Sequence, residues 1–201
     1  MSDEKTFKQQ YKDVRGYYLP INAVVVSMIA IFAALICVLT MNFGFTIQIP
    51  ATQGYINIGD IGVMIAGILF GPVIGSISGG VGSAIADLIL APQYAIATLI
   101  IKGLEGFVVG LISNPKKNYL KFNIRDVIAV VCGGLIMVFG YLIFEMILYG
   151  FPSALLEFFL NTGIQFGLGT ISALLFAFTV RKSIIDALPQ AFDKIFIMEN
   201  L

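Results

Sequence analysis

The stretch from residue 54 to residue 110 constrains the fold most, because nearly all of it is apolar residues and glycine. Four charged residues interrupt it, namely Asp60, Asp87, Lys102 and Glu105. A charged side chain in an apolar membrane segment costs roughly 2.5–3.5 kcal/mol on insertion scales, so it usually faces a protein interior or a watery cavity. The stretch therefore predicts membrane-spanning helices that enclose a polar site.

The composition of the whole chain is also typical of a membrane protein. Of its 201 residues, 58% are hydrophobic and 12% are charged, whereas a soluble domain carries about 25% charged residues. At about 20 residues per span, this length predicts one integral membrane domain of roughly five to seven spans, without a separate soluble domain. The zero net charge gives no indication of a nucleic-acid partner.

The reactive residue types exclude several kinds of site. Cys37 and Cys132 lie in apolar runs, which predicts small buried hydrophobes rather than a disulfide or a metal site. The chain has no histidine and no GxxxxGK(S/T) nucleotide loop, so Ser–His catalysis and ATP hydrolysis by that loop are excluded. No enzyme activity, cofactor or metal ion is predicted. Two alternatives stay open: an intramembrane enzyme using Asp87, Lys102 and Glu145, and a scaffold whose buried charges only pair helices.

Polar, Gly-Pro and Ala-Pro breaks divide the apolar sequence into six predicted spans. The spans cover residues 21–41, 58–70, 73–90, 93–112, 127–149 and 154–180. Every Lys and Arg except Lys102 falls at or beyond span ends on one side, so the positive-inside rule places both termini in the cytoplasm. The predicted fold class is an all-α integral membrane protein, a bundle of six transmembrane helices.

Three regions are predicted along the chain: a cytoplasmic N-terminal arm at residues 1–20, the membrane domain at residues 21–183 and a cytoplasmic amphipathic tail at residues 184–201. The apolar residues of the tail predict that it lies on the membrane surface; they are Ile185, Leu188, Phe192, Ile195 and Phe196. The loop at residues 42–57 is uncharged, and alternation at residues 45–49 predicts a short extended piece. This loop is either a lid over a site or a passive connection.

Small residues form a face on each of two predicted helices. The third span carries one that ends in a carboxylate, at Gly71, Gly75, Gly79, Ser83 and Asp87. Such a face predicts very close helix packing in lipid. The first span carries another, at Ala23, Ser27, Ala30 and Ala34. That second face is either a docking site for a partner helix or ordinary packing within the chain, and the pattern alone favours neither.

Polar residues from several predicted spans fall in the outer half of the membrane. Asn57 and Asp60 open the second span on the outer side, and Lys102 lies roughly 13 Å below the outer end of the fourth span, one turn above Glu105. The last two spans add Tyr141, Glu145, Glu157, Asn161 and Gln165. The inner half is nearly all apolar, so the sequence predicts a pocket that is open to the outside and closed below. Such a pocket suits a small polar solute that contains a ring.

Three segments resemble a known family: GYINIGD at residues 54–60, LFGPVIGSISGGVGSAIADL at residues 69–88 and IKGLEGFVVG at residues 101–110. They are similar to the substrate-binding S components of energy-coupling-factor (ECF) transporters, which are ABC-type vitamin importers. The similarity is to the branch that takes riboflavin, pyridoxine or hydroxymethylpyrimidine, and it covers about residues 21–180. It implies a six-helix bundle in a bacterial or archaeal cytoplasmic membrane that captures a water-soluble vitamin from outside.

The resemblance also implies partners and a site. The partners are a transmembrane coupling subunit, which docks on the face holding Ala30 and Ala34, and two cytoplasmic ATPases. The expected ligand-binding residues lie in the first outer loop and helices 4 to 6; they are Tyr55, Asn57, Lys102, Tyr141, Glu145, Asn161 and Gln165. Structural roles are expected for Asp60, Asp87 and Glu105. Riboflavin is the first ligand expected, with pyridoxine, hydroxymethylpyrimidine and pantothenate as alternatives, and the vitamin is a substrate rather than a cofactor.

Overall fold

The computed structural model describes residue 17 and residues 22–41, 46–115 and 123–196. Most of the predicted N-terminal arm, part of the basic loop after the fourth span and the end of the tail lie outside the described residues. The helices are α1 (Ala23–Thr40), α2 (Gly59–Phe70), α3 (Pro72–Leu90), α4 (Ala95–Ser113), α5 (Ile124–Tyr149), α6 (Phe151–Leu160), α7 (Gly167–Thr179), α8 (Arg181–Ala187) and α9 (Pro189–Phe192). A 3-10 turn at Pro92–Tyr94 precedes α4, and a π-helical segment at Asn161–Phe166 joins α6 to α7.

Five helical stretches in the described residues are long and apolar enough to cross a bilayer. They are Ala23–Thr40, Pro72–Leu90, Pro92–Ser113, Ile124–Tyr149 and Phe151–Thr179. The apolar helix α2 has only 12 residues, or about 18 Å of helix against a hydrocarbon core of about 30 Å. The all-α membrane class is confirmed, while the count of six spans and the location of the termini stay predictions.

Helix α2 lies at the centre of the bundle and packs against α1, α3, α4 and α7. All of its residues except Ile61 and Ile65 are buried. Lipid-exposed backbone must satisfy its own hydrogen bonds, but irregular backbone at membrane depth is tolerated where protein surrounds it. Enclosure by its neighbours therefore explains how such a short helix is accommodated.

The most extensive helix–helix contact joins α3 to α4. A Cβ atom on Gly75 would lie 2.7 Å from the carbonyl oxygen of Gly106, and one on Gly79 would lie 3.0 Å from the carbonyl oxygen of Lys102. A larger side chain at either position would push the two helices apart. The close packing predicted from the small-residue face of α3 is confirmed.

A short antiparallel hairpin covers one end of the bundle. We call this end the hairpin end. Strands β1 (Ile47–Ile49) and β2 (Gly54–Ile56) pair with Gln48 opposite Tyr55. All of β2 is buried, whereas β1 is largely exposed. The extended piece predicted at residues 45–49 is confirmed for the residues of β1, and β2 has no counterpart among the predictions.

The C-terminal tail packs against protein at the opposite end of the bundle. Ile185, Phe192, Ile195 and Phe196 are buried, whereas Leu188 is 50% exposed. The four buried side chains form one cluster with Tyr17, Val25, Leu69, Phe70 and Ile74. The prediction that they lie on the membrane surface is wrong, because the ends of α1, α2 and α3 present an apolar protein surface that covers them first.

A buried ion pair joins helices at the end of the bundle opposite the hairpin. Asp126, in the first turn of α5, contacts Arg181 through two pairs of atoms, at 3.0 Å (Nη2 to Oδ2) and 3.1 Å (Nη1 to Oδ1). Ser113, the last residue of α4, donates to Asp126 Oδ1 at 2.6 Å. Asn123 and Asp126 also form a capping box at the start of α5. One carboxylate thus joins α4, α5 and α8.

Candidate ligand-binding site

A cavity lies at the hairpin end, between the hairpin and the helices. Its volume is about 310 Å³, including the mouth that opens to solvent. Its lining residues come from the hairpin, α3, the 3-10 turn, α5, α6 and the π segment; they are Gly54, Tyr55, Asn57, Asp87, Tyr94, Tyr141, Glu157, Asn161 and Gln165. The enclosed part is only about 20 Å³, roughly the room that one or two water molecules need, so a larger ligand requires the lining side chains or the hairpin to move apart.

The cavity brings together five of the seven residues expected to bind a ligand, namely Tyr55, Asn57, Tyr141, Asn161 and Gln165. The other two, Lys102 and Glu145, are buried but are not among its lining residues. Asp87, for which a structural role is expected, does line it. Tyr94 and Glu157 line it as well, and their sequence signal is a helical spacing of four from Thr98 and Asn161.

Asp87 is the polar centre of one wall. Its two carboxylate oxygens accept hydrogen bonds from the hydroxyls of Tyr55 and Thr98. The Thr98 hydroxyl also lies 2.9 Å from that of Tyr141. Burial and the neighbouring Asp87 carboxylate raise the pKa of Tyr55, so its hydroxyl keeps the proton that it donates. These contacts connect the hairpin with α3, α4 and α5.

Side chains from the helices hold the hairpin over the cavity. The Thr52 hydroxyl donates to the carboxylate of Glu157, and the Tyr94 hydroxyl donates to the Thr52 carbonyl oxygen at 3.0 Å. Directly after β2, the backbone N–H of Asn57 donates to Gln165 Oε1 at 3.0 Å. The loop is therefore bonded to three separate elements of the bundle, which favours the lid interpretation over a passive connection.

The π segment supplies two of the lining side chains, Asn161 and Gln165. Single turns of π-helix occur mostly as bulges within α-helices, frequently at functional sites. Both side chains are buried, at 4% and 3% exposure. The local widening of the helix thus coincides with the place where it supplies polar groups to the cavity.

Tyr94 and Tyr141 supply aromatic rings to the lining of the cavity, and further rings pack against Tyr94. The Tyr94 ring lies 6.3 Å from that of Tyr141, 5.3 Å from that of Phe144 and 6.3 Å from that of Tyr149, the last pair being stacked. Flat apolar surfaces of this kind favour the binding of another ring. The cavity therefore combines a ring-binding surface with hydrogen-bonding groups.

The charge of Lys102 is paired inside the bundle, behind the Tyr141 ring. Its ammonium forms ion pairs with Asp60 on α2 and with Glu105, the latter at 3.1 Å. It also lies 5.7 Å from the centroid of the Tyr141 ring. All three charged side chains are at most 3% exposed. Lys102 and Glu105 are three residues apart and so lie on one face of α4, and Asp60 joins the pair from α2.

Glu145 lies beside a second buried carboxyl group, that of Glu157. It is fully buried, and neither of its carboxylate oxygens has a hydrogen-bond donor among the described residues. The Glu157 carboxyl could donate to it only in the protonated form. Asn161, which also contacts Glu157, has an unpartnered Oδ1 atom in the same part of the structure.

A comparison with protein families identifies the relatives of this chain. The sequence model of the family described as "ECF-type riboflavin transporter, S component" matches residues 21–188. The chain belongs to that family. The resemblance predicted from the three sequence segments is confirmed, and the enzyme alternative is excluded, since the family consists of transporter components.

Two curated proteins are similar to this S component. An uncharacterized protein in the gap 3′ region of Pyrococcus woesei is 48% identical over 113 residues, which cover 56% of this chain and 74% of that protein. The thiamine precursor transporter HmpT of Lactococcus lactis subsp. cremoris is 32% identical over 137 residues, which cover 67% of this chain and 75% of that protein.

Proposed function

We propose that this S component captures a small nitrogen-containing ring vitamin in the cavity at the hairpin end and delivers it into the cell with an ECF coupling subunit and two ATPases. The observation that carries the proposal is the cavity itself, in which aromatic rings and polar groups meet at one end of an apolar bundle. Family membership supports the role of vitamin capture.

Two substrates have support from the comparisons. The family description supports riboflavin, the ligand expected first. The HmpT relative supports a thiamine-precursor pyrimidine. Both are flat nitrogen heterocycles that could stack beside Tyr94, and pyridoxine shares this property. Pantothenate lacks a ring, so it cannot stack on the aromatic side chains of the cavity.

The proposed orientation places the hairpin end outside the cell. Among the described residues, Arg125, Arg181, Lys182 and Lys194 all lie at the opposite end, and the connections at the hairpin end carry no lysine or arginine. The positive-inside rule then puts the opposite end in the cytoplasm. A cavity at the outer end would be accessible to a vitamin before import.

The purified chain tests this function directly. We expect its absorption between about 300 and 500 nm, or mass spectrometry of an extract, to reveal a bound heterocycle, and we expect titration of the empty protein to give saturable binding of one vitamin. Asn161→Ala should weaken that binding roughly tenfold, because a buried hydrogen bond is lost. The control is Gln190→Ala, an exposed side chain at the opposite end. An empty protein that binds no vitamin would contradict the proposal.

The exposed face of α1 is the proposed docking site for the coupling subunit. Ala30 and Ala34 are both exposed, as are Ala23 and Ser27 on the same face. Small residues in this arrangement let a partner helix approach closely in lipid.

Adding bulk to this face should prevent assembly. We expect the double variant Ala30→Leu/Ala34→Leu to keep vitamin binding but to lose co-purification with the coupling subunit. The matched control is Gly163→Leu, because nothing lies within 4 Å of a Cβ at that helical position. Normal co-purification of the α1 variant would show that another surface carries the partner.

A further inference from the structure

Glu145 is a buried carboxyl group that the cavity does not expose to a ligand. It is fully buried on α5 and is not among the residues that line the cavity. Its carboxyl group is hydrogen-bonded to that of Glu157 on α6. Ionised carboxylates only accept hydrogen bonds, so a hydrogen bond between these two groups requires a proton on one of them. The pair therefore holds a proton.

The contacts of Glu157 indicate which of the two groups carries that proton. Glu157 accepts hydrogen bonds from the Thr52 hydroxyl and from the side chain of Asn161. Such donors stabilise a negative charge on the carboxylate that receives them. The oxygens of Glu145 receive no hydrogen bond from the described residues, so nothing there offsets the cost of burying a charge. The proton therefore lies on Glu145, which donates to Glu157.

The ionisable groups that face this pair in the described structure supply no positive charge. They are Tyr94 in the 3-10 turn and Tyr149 on α5. Asp87 on α3 adds a further carboxyl group to the lining of the cavity. The charge of Lys102 on α4 is already paired with two other carboxylates. Because two adjacent carboxylates repel each other, the proton is what keeps the pair together.

The hairpin packs directly against the Glu157 carboxylate. The Thr52 hydroxyl at the hairpin turn donates to it, and a Cβ atom on Gly54 would lie 2.8 Å from Glu157 Oε1. The enclosed part of the cavity is about 20 Å³, so the hairpin has to move before anything larger than water enters. The position of Glu157 therefore determines where the hairpin closes.

We infer that Glu145 is a positioning residue for vitamin binding, because the proton that it shares with Glu157 fixes the carboxylate to which the hairpin bonds. Glu145 acts through Glu157 and does not touch the vitamin. A hydrogen bond to an ionised carboxylate is short and strong, so this contact holds α5 and α6 together beneath the hairpin. The effect on vitamin binding rests on the proposed function, whereas the effect on the hairpin exists in the empty protein as well.

The shared proton makes the hairpin sensitive to pH. While the proton is present, Glu157 accepts hydrogen bonds from Glu145, Asn161 and Thr52 together. When rising pH removes the proton, two adjacent carboxylates remain and repel each other. Glu157 then moves away from Thr52, the hairpin opens more readily and vitamin binding weakens. Hairpin protection and vitamin affinity therefore both fall as pH rises, and the two carboxyl groups titrate as one unit.

Two variants separate the proton from the rest of the side chain. In Glu145→Gln the amide N–H donates to Glu157 at every pH, so affinity should stay within about threefold of that of the unchanged chain and should lose its pH dependence. In Glu145→Leu no donor remains, and vitamin binding should weaken by about 10- to 100-fold, as expected for a lost hydrogen bond to a charged group. The control is Asp193→Asn, an exposed carboxylate in the tail.

Three measurements on the full chain, purified in detergent, test the inference. Calorimetric titration with riboflavin and with 4-amino-5-hydroxymethyl-2-methylpyrimidine, from about pH 5 to about pH 10, gives the affinity across the range in which buried carboxyl groups titrate. Hydrogen exchange gives the protection factors of the hairpin amides without any ligand. An infrared difference spectrum between the unchanged chain and Glu145→Gln detects the carbonyl stretch of a protonated carboxyl group.

We expect the protonated carboxyl band at neutral pH. We also expect affinity and hairpin protection to fall by about tenfold or more as pH rises, and we expect Glu145→Gln to show neither fall. The vitamin's own titration is the same for both chains, so it cancels in the comparison.

Distinct outcomes would overturn the inference. Absence of the protonated carboxyl band would do so, as would parallel pH profiles for the unchanged chain and Glu145→Gln, which a merely structural role produces. A large loss of binding in Glu145→Gln with unchanged hairpin protection would show instead that Glu145 touches the vitamin. If neither vitamin binds but the hairpin keeps the expected pH dependence, the proposed function fails while the assigned proton stands.

Discussion

Replacing Lys102 by methionine should destabilise the bundle by about 3–5 kcal/mol, the range measured when one partner of a buried ion pair is removed. The reason is that Asp60 and Glu105, both fully buried, would lose the cation that they share. Methionine keeps most of the side-chain volume, so loss of charge rather than a cavity dominates. The measurement is the free energy of unfolding in mixed detergent micelles.

Companion variants separate this charge effect from ligand binding. The triple variant Lys102→Met/Asp60→Asn/Glu105→Gln should recover most of the lost stability, because an entire buried charge group can often be neutralised at little cost. Lys182→Met, at an exposed position, is the control. If Lys102→Met were as stable as this control yet bound the vitamin poorly, Lys102 would be a ligand contact, as the sequence predicts, and not a structural cation.

Asp126→Ala, at the opposite end of the bundle, should also lower the free energy of unfolding by about 3–5 kcal/mol. The substitution removes the two-point contact with Arg181, the hydrogen bond from Ser113 and half of the capping box on α5. Loss of a cap alone accounts for about 1 kcal/mol. Hydrogen exchange should show that the first turn of α5 opens more readily in the variant.

The matched control is Asp186→Ala, which removes an exposed carboxylate from α8. It should change stability by less than about 0.5 kcal/mol, as surface substitutions usually do. Vitamin binding should be unaffected in both variants at temperatures where they remain folded, since neither residue approaches the cavity. Equal stability of Asp126→Ala and Asp186→Ala would show that the ion pair contributes little.

Features that depend on spacing along one helix could be predicted from the sequence. The small-residue face of α3 is one, because residues four apart share a helix face wherever the helix lies. The pairing of Lys102 with Glu105 is another. The presence of Asn161 and Gln165 in the same cavity also follows from their spacing, although the π-helical turn that carries them has no sequence signal of its own.

Features that depend on which helices become neighbours could not be predicted in this way. Asp60 reaches Lys102 only because α2 packs against α4. Likewise, Glu157 faces the cavity because α6 lies under the hairpin turn that holds Thr52. The amphipathic tail shows the same limitation, since an apolar face fits lipid and protein equally well. Only the tertiary structure decides that Phe192 and Phe196 pack against protein.

The enclosure of α2 has a consequence for how the protein responds to its bilayer. Hydrophobic mismatch acts on helices that touch lipid, which tilt or deform the bilayer when lengths differ. Because α2 is surrounded by α1, α3, α4 and α7, it is shielded from that force. Asp60, in its first turn, is therefore held at a depth set by protein contacts alone. The polar groups beneath the cavity should keep their arrangement in membranes of different thickness.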